Sequence, residues 1–209
     1  MTPQSLADAG IDMAQIMQLL YGDCDGYGLS TKGRDRTANH TEDFVYGEVT
    51  PEVMWQLLQA SEAKAGENFY DLGSGTGKPP LLAAIMSDLG KCIGIELFDE
   101  LHSAAQLALA RYRTNILPHV PHKAGQHVEY RCNDFRSEDW SDADIVFSHC
   151  TCFSPTLMEG LVAQVQKLKS GARVMTVSKE LPSPDVTLLQ VVPVQMAWGG
   201  ATVYVYKRM

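Results

Sequence analysis

The chain has 209 residues, 45% of them hydrophobic and 20% charged, with 17 Lys and Arg against 25 Asp and Glu. That length holds one ordinary domain with a small appendage and enough chain to bury a core. The composition excludes a disordered chain, a collagen-like repeat and a disulfide-built miniprotein. A net charge of −8 argues against a free-standing nucleic-acid binder, which carries a basic face, but an acidic surface would attract a basic protein.

Five cysteines (Cys24, Cys92, Cys132, Cys150, Cys152) make an odd count without a CxxC pair, as expected of buried thiols in a reduced compartment. Three of them, Cys92, Cys132 and Cys150, fall in apolar, strand-like runs, where a thiol behaves as a small hydrophobe. Cys150-Thr151-Cys152 lacks further ligands at a metal spacing, so no metal site is expected. The opening MTPQSLADAGIDMAQ has neither a basic nor an apolar signal region, and no apolar run is long enough to span a bilayer. The expectation is a soluble protein of the cytosol or nucleus.

In chain order, Ser5 to Leu20 reads as an amphipathic helix that Ser5 can cap. Gly22 to Glu42 is rich in Gly, Asp and Thr without periodicity and reads as a loop or lid. Asp23-Cys24-Asp25-Gly26 resembles a fragment of a calcium loop, but the later ligands are missing. Residues 1–48 hold eight acids and three bases, so five of the eight net negative charges lie there. Pro51 to Glu62 is helical and Asn68 to Leu72 a strand. A helix over Pro79–Leu89 follows, then a strand over Lys91–Leu97 and a long helix over Asp99–Ile116. Strands are expected at His127–Cys132 and Ala143–Ser148, a helix at Thr156–Leu168, and a fifth strand at Arg173–Ser178. Thr187–Met196 and Ala201–Tyr206 form a closing hairpin across Trp198-Gly199-Gly200. Alternating elements predict an α/β fold, a parallel sheet with helices on both faces. With the hairpin it is the Rossmann-like, seven-stranded sheet of class I methyltransferases, preceded by a short helical and lid segment. Residues 1–48 would form the helix and lid, and 49–209 the methyltransferase domain.

The turn Asp71-Leu72-Gly73-Ser74-Gly75-Thr76-Gly77 carries the chemistry, because ligands of such sheets sit beyond the carboxyl ends of the strands. A phosphate-cradling loop needs GxxxxGK[ST], and here Pro79 follows Lys78. A dinucleotide loop needs GxGxxG, and this one is GxGxG. S-adenosylmethionine fits best: it has no phosphates, and its sulfonium, ribose and amino-acid tail suit acidic partners. Asp71 and the backbone of Gly73, Ser74, Gly75 and Gly77 would face its methionine end. Glu96, 21 residues after Gly75, would take both ribose hydroxyls. Asp134 would accept from the adenine amino group, with Phe135 against the ring.

Phe44-Val45-Tyr46-Gly47-Glu48 before a helix, FYDLGSGTGK from Phe69, IGIE from Ile93, NDF with Trp140, Phe153-Ser154-Pro155 and the closing Trp198 and tyrosines together resemble the disruptor-of-telomeric-silencing (DOT) histone-lysine methyltransferases, which lack a SET domain. The resemblance implies that Tyr46 and Glu48 fold over the methionine end of the cofactor. It also implies that Phe153 lines an apolar channel for the lysine side chain, and that Tyr204 (less surely Trp198 or Tyr206) closes its other wall. The family's paired asparagine reads His149-Cys150 here; His149 could take its polar role, act as a general base, or merely hydrogen-bond the loop. The expected catalytic residues are His149, Phe153 and Tyr204. The expected substrate is a basic protein, with histone leading, and no strong nucleic-acid or membrane binding; the nucleus is the expected compartment if histone is the target, otherwise the cytoplasm. A methyltransferase for a non-histone protein or small molecule, and a cofactor-binding protein without catalysis, remain open at this point.

Overall fold

The computed structural model describes residues 12–37 and 47–209. The expected alternation from Pro51 onward is present: α3 (Pro51–Ala60), β1 (Asn68–Leu72), α4 (Lys78–Met86), β2 (Lys91–Glu96), α5 (Asp99–Arg111), β3 (His127–Cys132), β4 (Ile145–Ser148), α6 (Pro155–Val165), β5 (Arg173–Val177), β6 (Val186–Met196) and β7 (Gly199–Arg208). Ahead of these lie α1 (Met13–Tyr21) and α2 (Gly26–Thr37). The seven strands make one sheet in the order β3-β2-β1-β4-β5-β7-β6. β1 to β5 pair in parallel, and β7 runs antiparallel between β5 and β6. The strand order reverses between β1 and β4, so the loops leaving those two strands flank the crevice where ligands of this architecture bind.

Strand side chains alternate between faces. Phe69, Cys92, Val128, Ile145 and Phe147 enter the core shared with α1, α3, α4 and α5, while Tyr70, Leu72, Ile93, Ile95 and Val146 enter the core under α6. Asp71 therefore continues the face of Phe69, and Glu96 that of Cys92. Both carboxylates point from one face at the carboxyl ends of adjacent strands. α4 is buried along its length, from Pro79 to Met86, which explains its unbroken apolar sequence. Burying each of its large side chains contributes about 1.5–3 kcal/mol, enough to anchor the helix on which the glycine loop ends. Trp140 is 1% exposed and donates its indole N–H to the Phe135 carbonyl at 2.9 Å, which ties down the loop after β3.

Several expectations are corrected. The cap expected at Ser5 lies outside the described residues; α1 is instead capped by Asp12, whose carboxylate accepts from Ala14 N at 2.9 Å. The stretch read as a loop over Gly22–Glu42 contains α2. Asp25 starts this helix by accepting from Gly28 N at 2.9 Å, and Gly33 lies flush on the Phe98 ring, where a Cβ would come within 2.8 Å of Cγ. Gly33, one of the glycines that suggest a loop, is thus what allows a helix to approach the body of the protein. The long helix after β2 changes to a π turn at Tyr112–Ile116 and a 3-10 turn at Leu117–His119. At the hairpin, Met196 pairs with Gly199 and Gln195 with Gly200. Ala197 and Trp198 are therefore the turn, and the two glycines sit in the strand. Cys132, expected to be buried, is exposed at the end of β3, with Cys92 and Cys150 buried and all five thiols free. No described helix is long and apolar enough to cross a membrane.

Gly33→Ala forces Phe98 or α2 to move. The expected cost is about 1–3 kcal/mol, the usual penalty for overpacking, felt mainly at α2. Hydrogen exchange should show faster exchange in α2 with the central strands unchanged.

Candidate functional site

Three glycines with left-handed backbone, Gly73 (φ +82°), Gly75 (φ +55°) and Gly77 (φ +80°), carry the chain from β1 into α4. Gly77 is constrained twice, since a Cβ there would also come within 2.5 Å of the Tyr130 ring. Tyr130 closes the arrangement by donating its hydroxyl to the Gly77 carbonyl at 2.6 Å. On the other side, the amides of Gly73 and Ser74 donate to the Ile95 carbonyl at 2.8 and 3.0 Å. The loop is therefore pinned to β2 and β3, the strands whose ends carry the other acids.

Two cavities meet over this loop. The larger, about 750 Å³ including the part open to solvent, is lined by Glu96, Asp134, Phe135, His149, Phe153 and their neighbours. The smaller, about 300 Å³, is lined by Glu48, Asp71, the glycine loop, Lys78 and His149. Glu96 is 6% exposed, and its oxygens accept Gly75 N at 2.7 Å and Phe98 N at 2.9 Å. Burial raises its pKa, and these backbone donors offset part of the rise. Asp71 is 1% exposed and neither of its oxygens has a hydrogen-bond partner among the described residues. Burial first, and the nearby Glu96 second, push its carboxyl well above the usual carboxylate range.

A buried carboxylate without a donor is costly, and at a cleft it marks a place for a cationic ligand group. The residues present fit S-adenosylmethionine: an ammonium would satisfy Asp71, and Glu96 keeps lone pairs for hydroxyls. A phosphate does not fit, because the cations nearest the loop are already committed. Lys78 pairs with Glu48 at 2.5 Å, and Arg136 with Asp134 at 2.5 Å. That second pair holds the Asp134 carboxyl below its usual range while leaving it on the cavity wall. Phe135 and Phe153 stack with centroids 5.9 Å apart and planes within 9°, making an apolar wall beside it.

Glu48, Asp71, Gly73, Ser74, Gly75, Glu96, Asp134, Phe135, His149 and Phe153 thus line one or both cavities, while Gly77 shapes the loop from behind. Tyr46 lies outside the described residues. Tyr204 is not on the cavity walls; it stacks on Tyr206 at 6.5 Å and packs against the apolar cluster that contains Phe153. Tyr206 is occupied by a structural bond, its hydroxyl accepting Leu181 N at 3.0 Å. Trp198 meets the His149 ring edge-on at 5.7 Å. Gly47 lies against both rings: a Cβ there would come 2.8 Å from His149 Nε2 and 2.9 Å from Trp198 Nε1.

Sequence reasoning missed several groups. Ser30 of α2, Phe98 and Leu157 line the larger cavity, and no local pattern marks them. Arg136 could have been paired with Asp134 from its spacing of two residues. A strap between the loops after β4 and β5 was also unseen. Cys150 Sγ donates to the Val177 carbonyl at 3.3 Å, Thr151 Oγ1 to Ser178 Oγ at 3.1 Å, and Lys179 Nζ to the Phe153 carbonyl.

The family described as "Histone methylation protein DOT1" matches residues 35–191. Among curated proteins, the chain is 29% identical over 143 residues to a "Histone-lysine N-methyltransferase, H3 lysine-79 specific" of Dictyostelium discoideum, covering 66% of this chain and 8% of that protein. The protein of the same name in Caenorhabditis elegans is 30% identical over 141 residues, covering 65% and 15%. The chain therefore spans only a small part of the length of these relatives. Solved structures share the fold. An RNA methyltransferase from Salinibacter ruber, in complex with S-adenosyl-L-homocysteine, superposes with a TM-score of 0.55 at 20% identity, over 77% of this chain and 93% of that one. TrmN from Thermus thermophilus gives 0.57 at 17%, over 85% and 53%. The fold is that of class I methyltransferases, and with three quarters of its residues inside the family match the chain belongs to the DOT1 family of histone methylation proteins.

Proposed function

We propose that the chain is an S-adenosylmethionine-dependent protein-lysine N-methyltransferase. The carrying observation is Asp71, a buried carboxylate with two unpartnered oxygens beside a glycine loop held by Glu96. When bound, the cofactor supplies an electrophilic methyl group on a sulfonium. Asp71 would hold its ammonium, Glu96 its ribose hydroxyls, and Asp134 with Phe135 its adenine. The Glu48–Lys78 pair, with side chains 21% and 14% exposed, would seat the segment after Gly47 over the methionine end. Positioning supplies much of the rate in such an in-line attack. An apolar wall around Phe153 favours the neutral, nucleophilic form of an incoming amine by desolvation, and Tyr204, off the cavity walls, would act only by packing behind that wall.

Histone is the leading substrate, supported by family membership and by relatives named as specific for H3 lysine-79. The nucleus follows as the proposed place of action. The net charge of −8 favours a basic polypeptide over DNA. Residues 1–48 would serve as helix and lid, and 49–209 as the methyltransferase domain.

Purified protein incubated with radiolabelled S-adenosylmethionine and either free histones or nucleosomes should label histone, with free histone preferred. Glu96→Gln should abolish the label, and Phe153→Ala should raise KM for histone more than it changes cofactor affinity. Cofactor binding without label on histone or on any protein in a cell extract would instead support a non-catalytic binding protein.

Asp71→Asn should weaken cofactor binding about 10–150-fold in calorimetry, the loss of one hydrogen bond to a charged group. It should also raise the melting temperature of the ligand-free protein at neutral pH. The raised pKa means that the native state holds a proton the unfolded chain has released, so stability falls as pH rises above the ordinary aspartate range. The advantage of the variant should therefore grow with pH from that range up to the native pKa and vanish below it.

A further inference from the structure

Of the titratable groups on the two cavity walls, Glu48 pairs with Lys78, Asp134 pairs with Arg136, and Glu96 accepts two backbone amides. Asp71 is assigned above to the cofactor ammonium. His149 has no such task. It leaves the end of β4 at the switch point of the sheet and lines both cavities. Its Nε2 is buried with no hydrogen-bond partner among the described residues. Gly47 and the edge of Trp198 pack against the ring.

We propose that His149 Nε2 is the proton acceptor for the target amine. It accepts an amine N–H, which aims the nitrogen lone pair at the methyl group, and it takes the proton that the transfer releases. This deepens the methyltransferase reading above and rests on it. The neutral amine's lone pair forms the N–C bond as the C–S bonding pair returns to sulfur. The nitrogen, now cationic, gives one proton to Nε2, and His149 passes it to water.

Electrostatics sets the order of these events. An imidazolium beside a sulfonium is disfavoured, so His149 stays neutral and accepting until the sulfur has lost its charge. Burial works in the same direction, lowering the imidazole pKa below 6.5. The charged and titratable groups around it are Cys150 on its own loop, Glu48, Lys78 and Asp71 on the smaller cavity, and Glu96, Asp134 and Arg136 on the larger. Cys150 is buried with its thiol pushed up to about 11, and the others are paired or assigned.

The test is a nuclear magnetic resonance titration of the six histidines in complexes with S-adenosylmethionine and with S-adenosylhomocysteine, His149 being assigned from the His149→Asn spectrum. Only the first ligand carries the sulfonium charge. The His149 pKa should be lower in that complex by about one pH unit or more, with His102, His119, His122 and His127 equal in both. In kinetics, kcat/KM should fall on the acid side with a midpoint below 6.5. His149→Asn, which keeps an acceptor oxygen but cannot titrate, should retain activity within about tenfold and lose that acid limb, while His149→Leu should lose about 10²–10⁴-fold in kcat at unchanged cofactor affinity.

Equal His149 titration in the two complexes, or wild-type kcat in His149→Leu, overturns the proposal in an active enzyme. So does an acid limb that survives in His149→Asn, which would assign the limb to Asp71. Absence of methyl transfer by the wild-type protein despite cofactor binding overturns the methyltransferase reading itself, and this proposal with it.

Discussion

Glu96 is 6% exposed, yet its carboxylate accepts the amides of Gly75 and Phe98 at 2.7 and 2.9 Å. Charge-assisted bonds to backbone amides are about twice as strong as neutral ones; here the Gly75 bond spans 21 residues of sequence and the Phe98 bond is local, two residues on. The Gly75 bond fixes the middle of the glycine loop. The Phe98 bond fixes the start of α5, whose first residues, Asp99 and Glu100, face a helix N-terminus that favours acids. Phe98 then supports α2 through Gly33 and contributes to the wall of the larger cavity. Without Glu96 the loop, the entry to α5 and the seat of α2 lose their common tie. Asp71 can stay unpartnered because this neighbour is already satisfied: two buried carboxylates both lacking donors would raise each other's pKa until both were protonated.

The parts of this arrangement that depend on local periodicity were legible. β1 and β2 read as strands because apolar residues fill both faces, and the period of two places Asp71 and Glu96 on one face once the strand ends are known. α2 was not legible, because its stability is tertiary. It lacks an amphipathic pattern, and Gly33 matters through the Phe98 ring that another part of the chain supplies. The hairpin turn at Ala197-Trp198 was misplaced by two residues because Gly-Gly is a strong turn signal, while the register was set by pairing with Val203 to Thr202 further along the strands. Asp134 is legible as an acid at a strand end, and its local partner Arg136 lies two residues on. Tyr46 stands outside the described residues, so its expected place is not judged by the fold.

The loops after β4 and β5 show how a wall of the cleft is held without belonging to a regular element. Ser178 adopts φ +65°, a left-handed conformation that costs a non-glycine residue about 1–3 kcal/mol unless its surroundings fix it. Three bonds do so, from Cys150, Thr151 and Lys179. A fourth, from Thr176 Oγ1 to the Lys179 carbonyl at 2.6 Å, sets the turn itself. The loop carrying His149 and Phe153 is therefore braced by a neighbouring strand's loop, whereas the segment at Gly47 rests on the same histidine from the opposite side.

The acidity of the N-terminal segment has a structural share that composition cannot reveal. Asp23 makes a two-pronged pair with Arg111 at 2.6 and 2.7 Å, linking the end of α1 to α5, and Arg111 also donates to the Leu20 carbonyl at 3.0 Å. Glu48 is bound to Lys78. Such pairs cancel much of their own field within a few ångströms, and at physiological ionic strength charges beyond about 8 Å are largely screened. A basic polypeptide would thus sense the acids left outside these pairs rather than the summed charge. Exposed ion pairs contribute little to stability because solvent screens them, so Arg111 matters less as an ion pair than as a three-bond bracket that holds the first helix against the methyltransferase fold. The described parts of the segment that the sequence presents as an acidic appendage are held to the fold through Arg111, Phe98 and Lys78, and Ser30, Gly47 and Glu48 contribute to the walls of the cleft.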